Sequence, residues 1–247
     1  MPRLMNDDMD NHKVAGGGGF QFSAVRPDKL GATEYTLVTI IMDVSGSVDG
    51  FKDELLKTKK AIIEACQKSP RADNLLVRDV AFNHNVEELH GFKQLNEIDV
   101  NDYEPYYPNG TTYLYGATYS GVASTIEYGK LLVDQDFDVN GAVYIITDGL
   151  NNIDGVEPKD IKDLIMQSKK DEDGIESMIT ILVGLGDDTN VSRALTRFKD
   201  EADLTQFVDV GEATPGKLAK LAQFVSQSIS SQSQSLGSGS ASVPLNF

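Results

Sequence analysis

The sequence predicts an α/β fold, doubly wound, in which a mostly parallel central sheet has helices on both faces. Short apolar segments alternate with longer segments whose apolar residues recur every three or four positions. The short segments, such as Tyr35–Met42 and Ala142–Thr147, lack the polar alternation of a strand with one solvated face. A strand that is apolar on both faces must be buried on both, which places helices on either side of the sheet.

The first half of this pattern contains a strand, a helix and a hairpin. Tyr35–Met42 predicts a buried strand, and Phe51–Cys66 predicts a helix because its apolar residues fall on one face. Leu75–Phe82 predicts a second strand, and Val86–Leu95 a third that pairs with it across the turn at 83–85.

The second half of the pattern alternates helix and strand. Its elements are a helix over Thr112–Leu132, a strand over Ala142–Thr147, a helix over Pro158–Lys170, a strand over Met178–Val183, a helix over Val191–Ala202, a strand over Gln206–Val210 and a helix from Thr214 to Ile229.

Composition changes on either side of this pattern, so the sequence predicts one domain, at 34–231, between two tails. The leader at 1–33 contains Gly16–Gly19, four glycines that predict a flexible joint. A short strand is expected directly after them, at 20–25, where apolar and polar residues alternate. The polar segment at 1–13 has no apolar stretch of the kind found in secretory signals, which favours a cytoplasmic protein.

The C-terminal tail at 232–247 continues a serine-, glutamine- and glycine-rich run that begins near Ser226 and predicts a solvated linker. It ends in an apolar tip, Val243–Phe247. The tip is interpreted either as disordered or as a short peptide that docks on a partner or on a neighbouring subunit. Since each tail joins a flexible segment to an apolar one, exchange of 1–33 or 236–247 between copies is an alternative function, that of an oligomeric assembly protein.

The charge balance disfavours two classes of partner. With 38 acidic and 22 basic residues, the chain has a net charge of −16 and would repel both a nucleic-acid backbone and an anionic membrane surface. Its longest apolar stretches, such as Ile179–Leu185, are too short to span a bilayer. The single cysteine, Cys66, cannot form an internal disulfide and falls in a helical apolar pattern, which favours a core residue in a reducing compartment.

Carboxylates and hydroxyls follow the predicted strands, at the edge where doubly wound folds bind their ligands. Asp43-Val44-Ser45-Gly46-Ser47 comes directly after the first strand, and Asp148-Gly149 comes after the strand at 142–147. The segment Pro108–Thr112 opens the helix between them and supplies a further hydroxyl. Oxygen donors without thiol or imidazole suit Mg²⁺ or Mn²⁺ best and Ca²⁺ less well. The sequence therefore predicts a divalent metal site at this edge.

These three motifs, in this order, resemble the metal-ion-dependent adhesion site (MIDAS) of von Willebrand factor A (vWA) domains, over about residues 35–230. The resemblance implies five ligands that bind a metal, Mg²⁺ in the first place, directly or through water: Asp43, Ser45, Ser47, Thr112 and Asp148. Members of the family tend to carry an alanine five residues after the ligand threonine. Ala117 therefore favours Thr112, and Thr111 stays the alternative.

Two positions depart from the family pattern without removing a ligand. Val48 stands where methionine is common, and Asn109-Gly110-Thr111 stands where a glycine pair is common. The resemblance implies a mode of action in which an acidic residue of a partner protein completes the coordination of the metal. Without a visible signal segment, the chain is more similar to stand-alone bacterial or phage vWA proteins than to secreted adhesion proteins.

Tyrosines cluster around the threonine motif. Six of the nine tyrosines lie between residues 103 and 119. Tyrosine offers a large contact area with a polar end and is enriched at binding hot spots. Four of them are therefore predicted to contact the partner: Tyr103, Tyr106, Tyr107 and Tyr113. The other two, Tyr115 and Tyr119, are spaced for one helix face and equally fit the core.

Two enzymatic interpretations of the sequence are less well supported. A Mg²⁺-dependent phosphohydrolase of the haloacid-dehalogenase type would need an acid two residues after Asp43, and Ser45 stands there. A nucleotide site at Gly184-Leu185-Gly186 lacks a third glycine and is followed by two acids that would repel a pyrophosphate. The sequence thus predicts a binding protein with no catalytic residues.

Overall fold

The computed structural model describes residues 7–14, 19–171, 174–236 and 244–247. Within them, eight strands form one sheet in the order β1-β2-β5-β4-β3-β6-β7-β8. The strands are β1 (Met9–Lys13), β2 (Gln21–Val25), β3 (Glu34–Asp43), β4 (Leu75–Phe82), β5 (Val86–Gln94), β6 (Asp138–Thr147), β7 (Met178–Leu185) and β8 (Gln206–Gly211). The helices are α1 (Lys52–Gln67), α2 (Leu114–Val133), α3 (Pro158–Ser168), α4 (Thr189–Glu201) and α5 (Pro215–Ser235).

The sheet confirms the predicted fold class. β4, β3, β6, β7 and β8 are parallel neighbours, while β5 returns antiparallel to β4 as the predicted hairpin. β3 lies in the middle, with β4 on one side and β6 on the other. The chain therefore reverses its direction of winding at β3, and the carboxyl ends of β3 and β6 flank a crevice at this switch point.

Helices cover both faces of the sheet, α2, α3 and α4 on one face and α1 and α5 on the other. The side chains of β3 alternate between these layers. Leu37 and Ile41 pack on the first face, and Val38, Ile40 and Met42 on the second, all fully buried. Burial of each such side chain contributes about 1.5–3 kcal/mol relative to exposure, which explains why β3 is apolar on both faces.

The N-terminal leader differs from its prediction. The strand expected at 20–25 is present as β2, but β1 also forms, antiparallel to β2, so the described part of the leader adds two strands to the sheet. Gly91 makes room for this addition, since a Cβ at position 91 would lie 1.8 Å from the carbonyl oxygen of Ser23. Of the predicted flexible joint, Gly16–Gly18 lie outside the described residues.

The C-terminal run also differs from its prediction as a solvated linker. α5 continues to Ser235, beyond the expected boundary at 231, because its polar residues hydrogen-bond to β6. Gln232 donates from Nε2 to the Gly141 carbonyl and accepts at its own carbonyl from Asn140 Nδ2. Tyr144 donates its hydroxyl to Ser228 Oγ. Serine and glutamine here line a buried interface.

The apolar C-terminal tip is described from Pro244 to Phe247, and it lies against its own domain. Gln206 Nε2 donates to the Leu245 carbonyl at 3.0 Å. The ring of Phe247 meets the ring of Phe224 edge-on, with 5.5 Å between the centroids. Residue 243 of the predicted tip and the preceding residues 237–242 lie outside the described residues.

A membrane span needs a long, strongly apolar helix, and the described part of the chain contains no helix of that kind.

Candidate metal centre

The predicted metal ligands come together at the carboxyl ends of β3 and β6. Asp43 is the last residue of β3, and Asp148 comes directly after the last residue of β6, the strand that pairs with β3. The Asp43 side chain is only 1% exposed. Its Oδ1 accepts from the Ser45 amide at 2.8 Å, and its Oδ2 accepts from the Thr147 hydroxyl at 2.6 Å. These two bonds fix the carboxylate at the base of the crevice.

A chain of hydroxyls joins the two strand ends. Ser45 Oγ lies 3.1 Å from Ser47 Oγ, and Ser47 Oγ donates to Asp148 Oδ1 at 2.7 Å. Neighbouring oxygens around an octahedral Mg²⁺ with ligands at 2.0–2.1 Å stand about 3.0 Å apart. The spacing of these three side chains therefore fits adjacent corners of such an octahedron.

The threonine motif supplies a further hydroxyl to the same crevice. Thr112 is buried and Thr111 is exposed. Thr112 Oγ1 faces the turn after β6, since a Cβ at Gly149 would lie 3.4 Å from it. The backbone of Thr112 is held by Asn152, whose Oδ1 accepts from the Thr112 amide at 2.6 Å and whose amide donates to the Thr112 carbonyl at 3.0 Å. Thr112 is thus the threonine positioned at the crevice.

Asn151 and Asn152 are site residues that the sequence reasoning missed. Asn151 Oδ1 accepts from the Tyr115 amide at 3.1 Å, in the first turn of α2, just as Asn152 accepts from Thr112. The two asparagines therefore tie the loop after β6 to the start of α2. Two asparagines after a strand that ends in Asp-Gly are a detectable signal, since asparagine commonly caps exposed helix amides.

The loops that carry the two serines and the threonine are joined by their backbones. The Asn109 amide donates to the Val44 carbonyl at 3.1 Å, and the Gly46 amide donates to the Gly110 carbonyl at 3.2 Å. Gly110 has a φ of 73°, and a Cβ there would lie 2.3 Å from His84 Nδ1. A side chain at position 110 would be strained at this φ and would displace the His84 ring, so the departure from a glycine pair at Asn109-Gly110 keeps the glycine that the turn favours.

The electrostatics of the crevice fit a divalent cation. The pKa of Asp43 is raised from 3.8 to about 6, mainly by burial and to a lesser extent by the nearby Asp148 carboxylate, against the hydrogen bonds from Thr147 and Ser45 that lower it. Burial also raises the pKa of Asp148. A buried carboxylate and a half-buried one without a counter-ion are costly, and a cation between them would reduce that cost. Across the described residues, no group of three or more His, Cys, Asp or Glu side chains could hold a metal, so a metal at this crevice would need hydroxyl ligands as well.

Two of the four tyrosines predicted to contact a partner have little exposed surface. Tyr103 and Tyr106 are buried, and their rings lie 4.1 and 4.9 Å from the ammonium nitrogen of Lys59. Both tyrosines are part of the hydrophobic core, and their rings lie against the buried ammonium of Lys59. Tyr113 is half-buried and packs against the core. Tyr107 is 77% exposed beside the metal loop, as a partner contact requires.

Known structures share this fold at low sequence identity. A crystal structure of proximal thread matrix protein 1 from the mussel byssus matches 80% of this chain, with a TM-score of 0.53 and 15% identity. The ArnB paralog VWA2 from Sulfolobus acidocaldarius matches 89%, with a TM-score of 0.52 and 14% identity. The PilB minor pilin from Streptococcus sanguinis matches 88%, with a TM-score of 0.55 and 17% identity. This chain spans 46%, 53% and 66% of those chains, respectively, which is about half of the first two.

The mussel protein and VWA2 are vWA-domain proteins, and this chain has their fold, an α/β vWA-like fold. No protein-family model and no curated protein sequence matches it. A further structure of the mussel protein, with a TM-score of 0.51 and 17% identity, has a zinc-occupied MIDAS motif. A divalent metal at a MIDAS motif is therefore observed in a structural neighbour.

Proposed function

We propose that this protein is a metal-dependent protein-binding module. The observation that carries the proposal is the convergence of five side chains with oxygen donors, from three separate loops, on one crevice at the end of β3. Asp43, Ser45, Ser47, Thr112 and Asp148 would hold a divalent ion, Mg²⁺ or Mn²⁺ by the hardness of the donors. Mg²⁺ keeps part of its water shell in proteins, and an acidic residue of a partner would replace one of those waters.

The surface around the crevice supports a protein partner. The described residues include four large apolar side chains that are exposed, and two of them, Tyr107 and Leu150, flank the metal loops. Leu150 follows the Asp148-Gly149 turn directly, and Tyr107 lies in the loop before Thr112. Exposed apolar and aromatic side chains around a charged centre are typical of binding hot spots.

Charge counting supports binding rather than catalysis. The two carboxylates neutralise a divalent ion and the three hydroxyls add no charge, so an incoming carboxylate is accepted without a large excess of negative charge. The position where a phosphohydrolase would need a general acid is held by Ser45, which contacts Ser47. We therefore propose a non-enzymatic role. A cytoplasmic location fits the buried, unpaired thiol of Cys66.

The proposal is tested by titrating the full chain with Mg²⁺ and by capturing partners from the native host with and without chelator. We expect Mg²⁺ at a hundredfold excess over its Kd to raise Tm by about 5–10 °C, since it stabilises the fold by about 2.7 kcal/mol. Thr112→Ala should weaken Mg²⁺ binding by about tenfold or more, whereas the matched variant Thr111→Ala should bind like the wild type. Calorimetry that detects no divalent binding to the wild type would refute the proposal, and so would capture that persists in chelator.

Assembly through the C-terminal tip is the second candidate function. The observation that favours it is the docking of Leu245 and Phe247 on Gln206 and Phe224, beyond residues 237–243. A short docked peptide at the end of a chain can be exchanged with another copy.

We expect deletion of 237–247 to lower the mass measured by light scattering, if copies exchange the tip. Phe247→Ala, which removes only the ring contact with Phe224, is expected to change the mass in the same direction. Removal of 1–33 is not an equivalent test, because it takes two strands from the sheet. An unchanged mass in both C-terminal variants would leave the tip with a role inside its own domain only.

A further inference from the structure

A cavity of about 290 Å³ lies beneath the segment 102–109, beside the metal loop. The rings of Tyr103, Tyr106 and Tyr107 form part of its wall, and Leu89 and Ala81 of the β4–β5 hairpin form another part. Tyr103 and Tyr106 pack against the buried ammonium of Lys59, which also lines the cavity.

The cavity and the metal crevice share a wall. Val44 lines the cavity and stands in the chain between the candidate ligands Asp43 and Ser45. Asn109 also lines it, and the Asn109 amide is bonded to the Val44 carbonyl. A single short segment of a partner can therefore place one side chain at the metal and another in the cavity.

The cavity has a negative net charge, because its buried lysine is already paired inside the protein. The ammonium of Lys59 is 2.7 Å from Asp79 Oδ2, both side chains are 1% exposed, and the two rings lie against it. This cation is neutralised inside the protein. Asp102 and Glu104 are exposed residues that line the cavity, and Glu87 lines it from the hairpin.

Aromatic rings and carboxylates together select a cation. A guanidinium or ammonium gains from the exposed ring of Tyr107 and from a nearby carboxylate. An anion would be repelled by Asp102 and Glu104, and a purely apolar group would gain nothing from these two carboxylates. The net charge of −16 acts in the same direction, since it draws basic surfaces toward the protein.

We propose that this cavity receives a lysine or arginine side chain of the same partner segment that supplies the carboxylate to the metal. The proposal rests on the proposed function and adds the identity of the second anchor. The partner is then a segment in which an acidic residue and a basic residue stand at a fixed separation. The acid supplies affinity through the metal, and the base supplies selectivity among acidic segments.

The test is a selection of displayed peptides of about twelve residues, each with one fixed Asp, on the full chain in Mg²⁺. We expect the wild type to enrich Lys or Arg at one separation from the fixed Asp. The double variant Asp102→Asn, Glu104→Gln should still retain Asp peptides in a Mg²⁺-dependent way but should lose this enrichment. The control Asp73→Asn, Asp134→Asn removes the same charge from exposed positions far from the carboxyl ends of the strands and should select like the wild type.

The outcomes separate this inference from the proposed function. If the wild type retains Asp peptides only in Mg²⁺ but shows no basic preference, or an apolar one, the cavity proposal is wrong and the metal-dependent function stands. If the acidic double variant keeps the basic preference, the cavity proposal is also wrong. If no peptide is retained in a Mg²⁺-dependent way, both are wrong. A selected peptide should lose about tenfold in affinity when its basic residue is replaced by norleucine.

Discussion

Asp43→Asn is expected to abolish divalent-ion binding and, at the same time, to make the metal-free protein more stable at pH 7.5. The two effects have one cause. Asp43 is buried, and burial raises its pKa from 3.8 to about 6. At pH 7.5 the folded protein therefore carries an ionised carboxylate that it would hold more easily in protonated form. Each pKa unit corresponds to about 1.4 kcal/mol, so the neutral amide should add up to about 3 kcal/mol to the free energy of unfolding.

The sign of the pH dependence follows from the raised pKa. A group whose pKa is higher in the folded state than in the unfolded state stabilises the fold at low pH, when it is protonated in both. This contribution of Asp43 is fully present below about pH 4 and is lost as the pH rises through about 6. Mg²⁺ affinity should change in the opposite direction and fall below about pH 6, because a proton and the metal compete for the same carboxylate.

The side-chain amide that Asp43→Asn introduces can be accommodated without a large change in hydrogen bonding. Its oxygen can accept from the Ser45 amide, and its nitrogen can donate to Thr147 Oγ1, which already accepts from the Gly149 amide.

Urea denaturation in chelator at pH 5 and 7.5 measures the stability of the metal-free protein, and calorimetry with Mg²⁺ measures metal binding. Asp49→Asn is the matched control, since Asp49 is exposed on the adjoining turn and should affect neither quantity. A variant that is less stable than the wild type at pH 7.5, or that binds Mg²⁺ normally, would contradict the prediction.

The elements that the sequence predicted correctly are those whose burial leaves a periodic signal. β3, β6 and β7 are largely apolar on both faces because helices cover both, as is typical of parallel sheets in α/β proteins. β1 was missed because Met9–Lys13 is an edge strand whose residues are mostly polar. It is held by its pairing with β2, a contact made between segments of which neither is strongly apolar.

The end of α5 was missed for a related reason. Ser228 and Gln232 look solvated in sequence, yet they are buried and hydrogen-bond to Tyr144, Asn140 and Gly141 of β6. A buried polar group is stable when it is paired, and such pairing depends on the partner element. Composition alone therefore assigns these residues to a linker.

The candidate metal residues could be identified because their positions at strand ends follow from topology alone. Asp43 and Asp148 end adjacent parallel strands, so any correct assignment of β3 and β6 brings them together. The orientation of the tyrosines does not follow from topology. Tyr103 and Tyr106 turn inward because Lys59 and Asp79 form a buried ion pair beneath them, and a lysine on a helix gives no sign in sequence that it is buried.

Lys59→Met is expected to produce the largest loss of stability of any single substitution proposed for this protein. Methionine fills a similar volume but leaves the Asp79 carboxylate buried, with Oδ2 deprived of its cation and Oδ1 already without a hydrogen-bond partner among the described residues. Breaking one side of a buried ion pair costs about 3–5 kcal/mol, which lowers Tm by about 10 °C in a domain of this size. The loss should be smaller in the double variant Lys59→Met, Asp79→Asn, because replacing both charges removes the uncompensated carboxylate.

Lys57→Met provides the control for this prediction, since Lys57 is on the same helix but its side chain is 77% exposed and only loosely paired with Glu54. Surface pairs of this kind contribute about 0–1 kcal/mol, so Lys57→Met should unfold like the wild type. The Lys59 substitution has a second expected effect. Tyr103 and Tyr106 pack on the ammonium of Lys59 and carry the segment that leads to Asn109, so proteolysis at 100–110 should accelerate in Lys59→Met before global unfolding. A stability loss below about 1 kcal/mol, or a double variant no more stable than the single one, would mean that the ion pair does not support this edge.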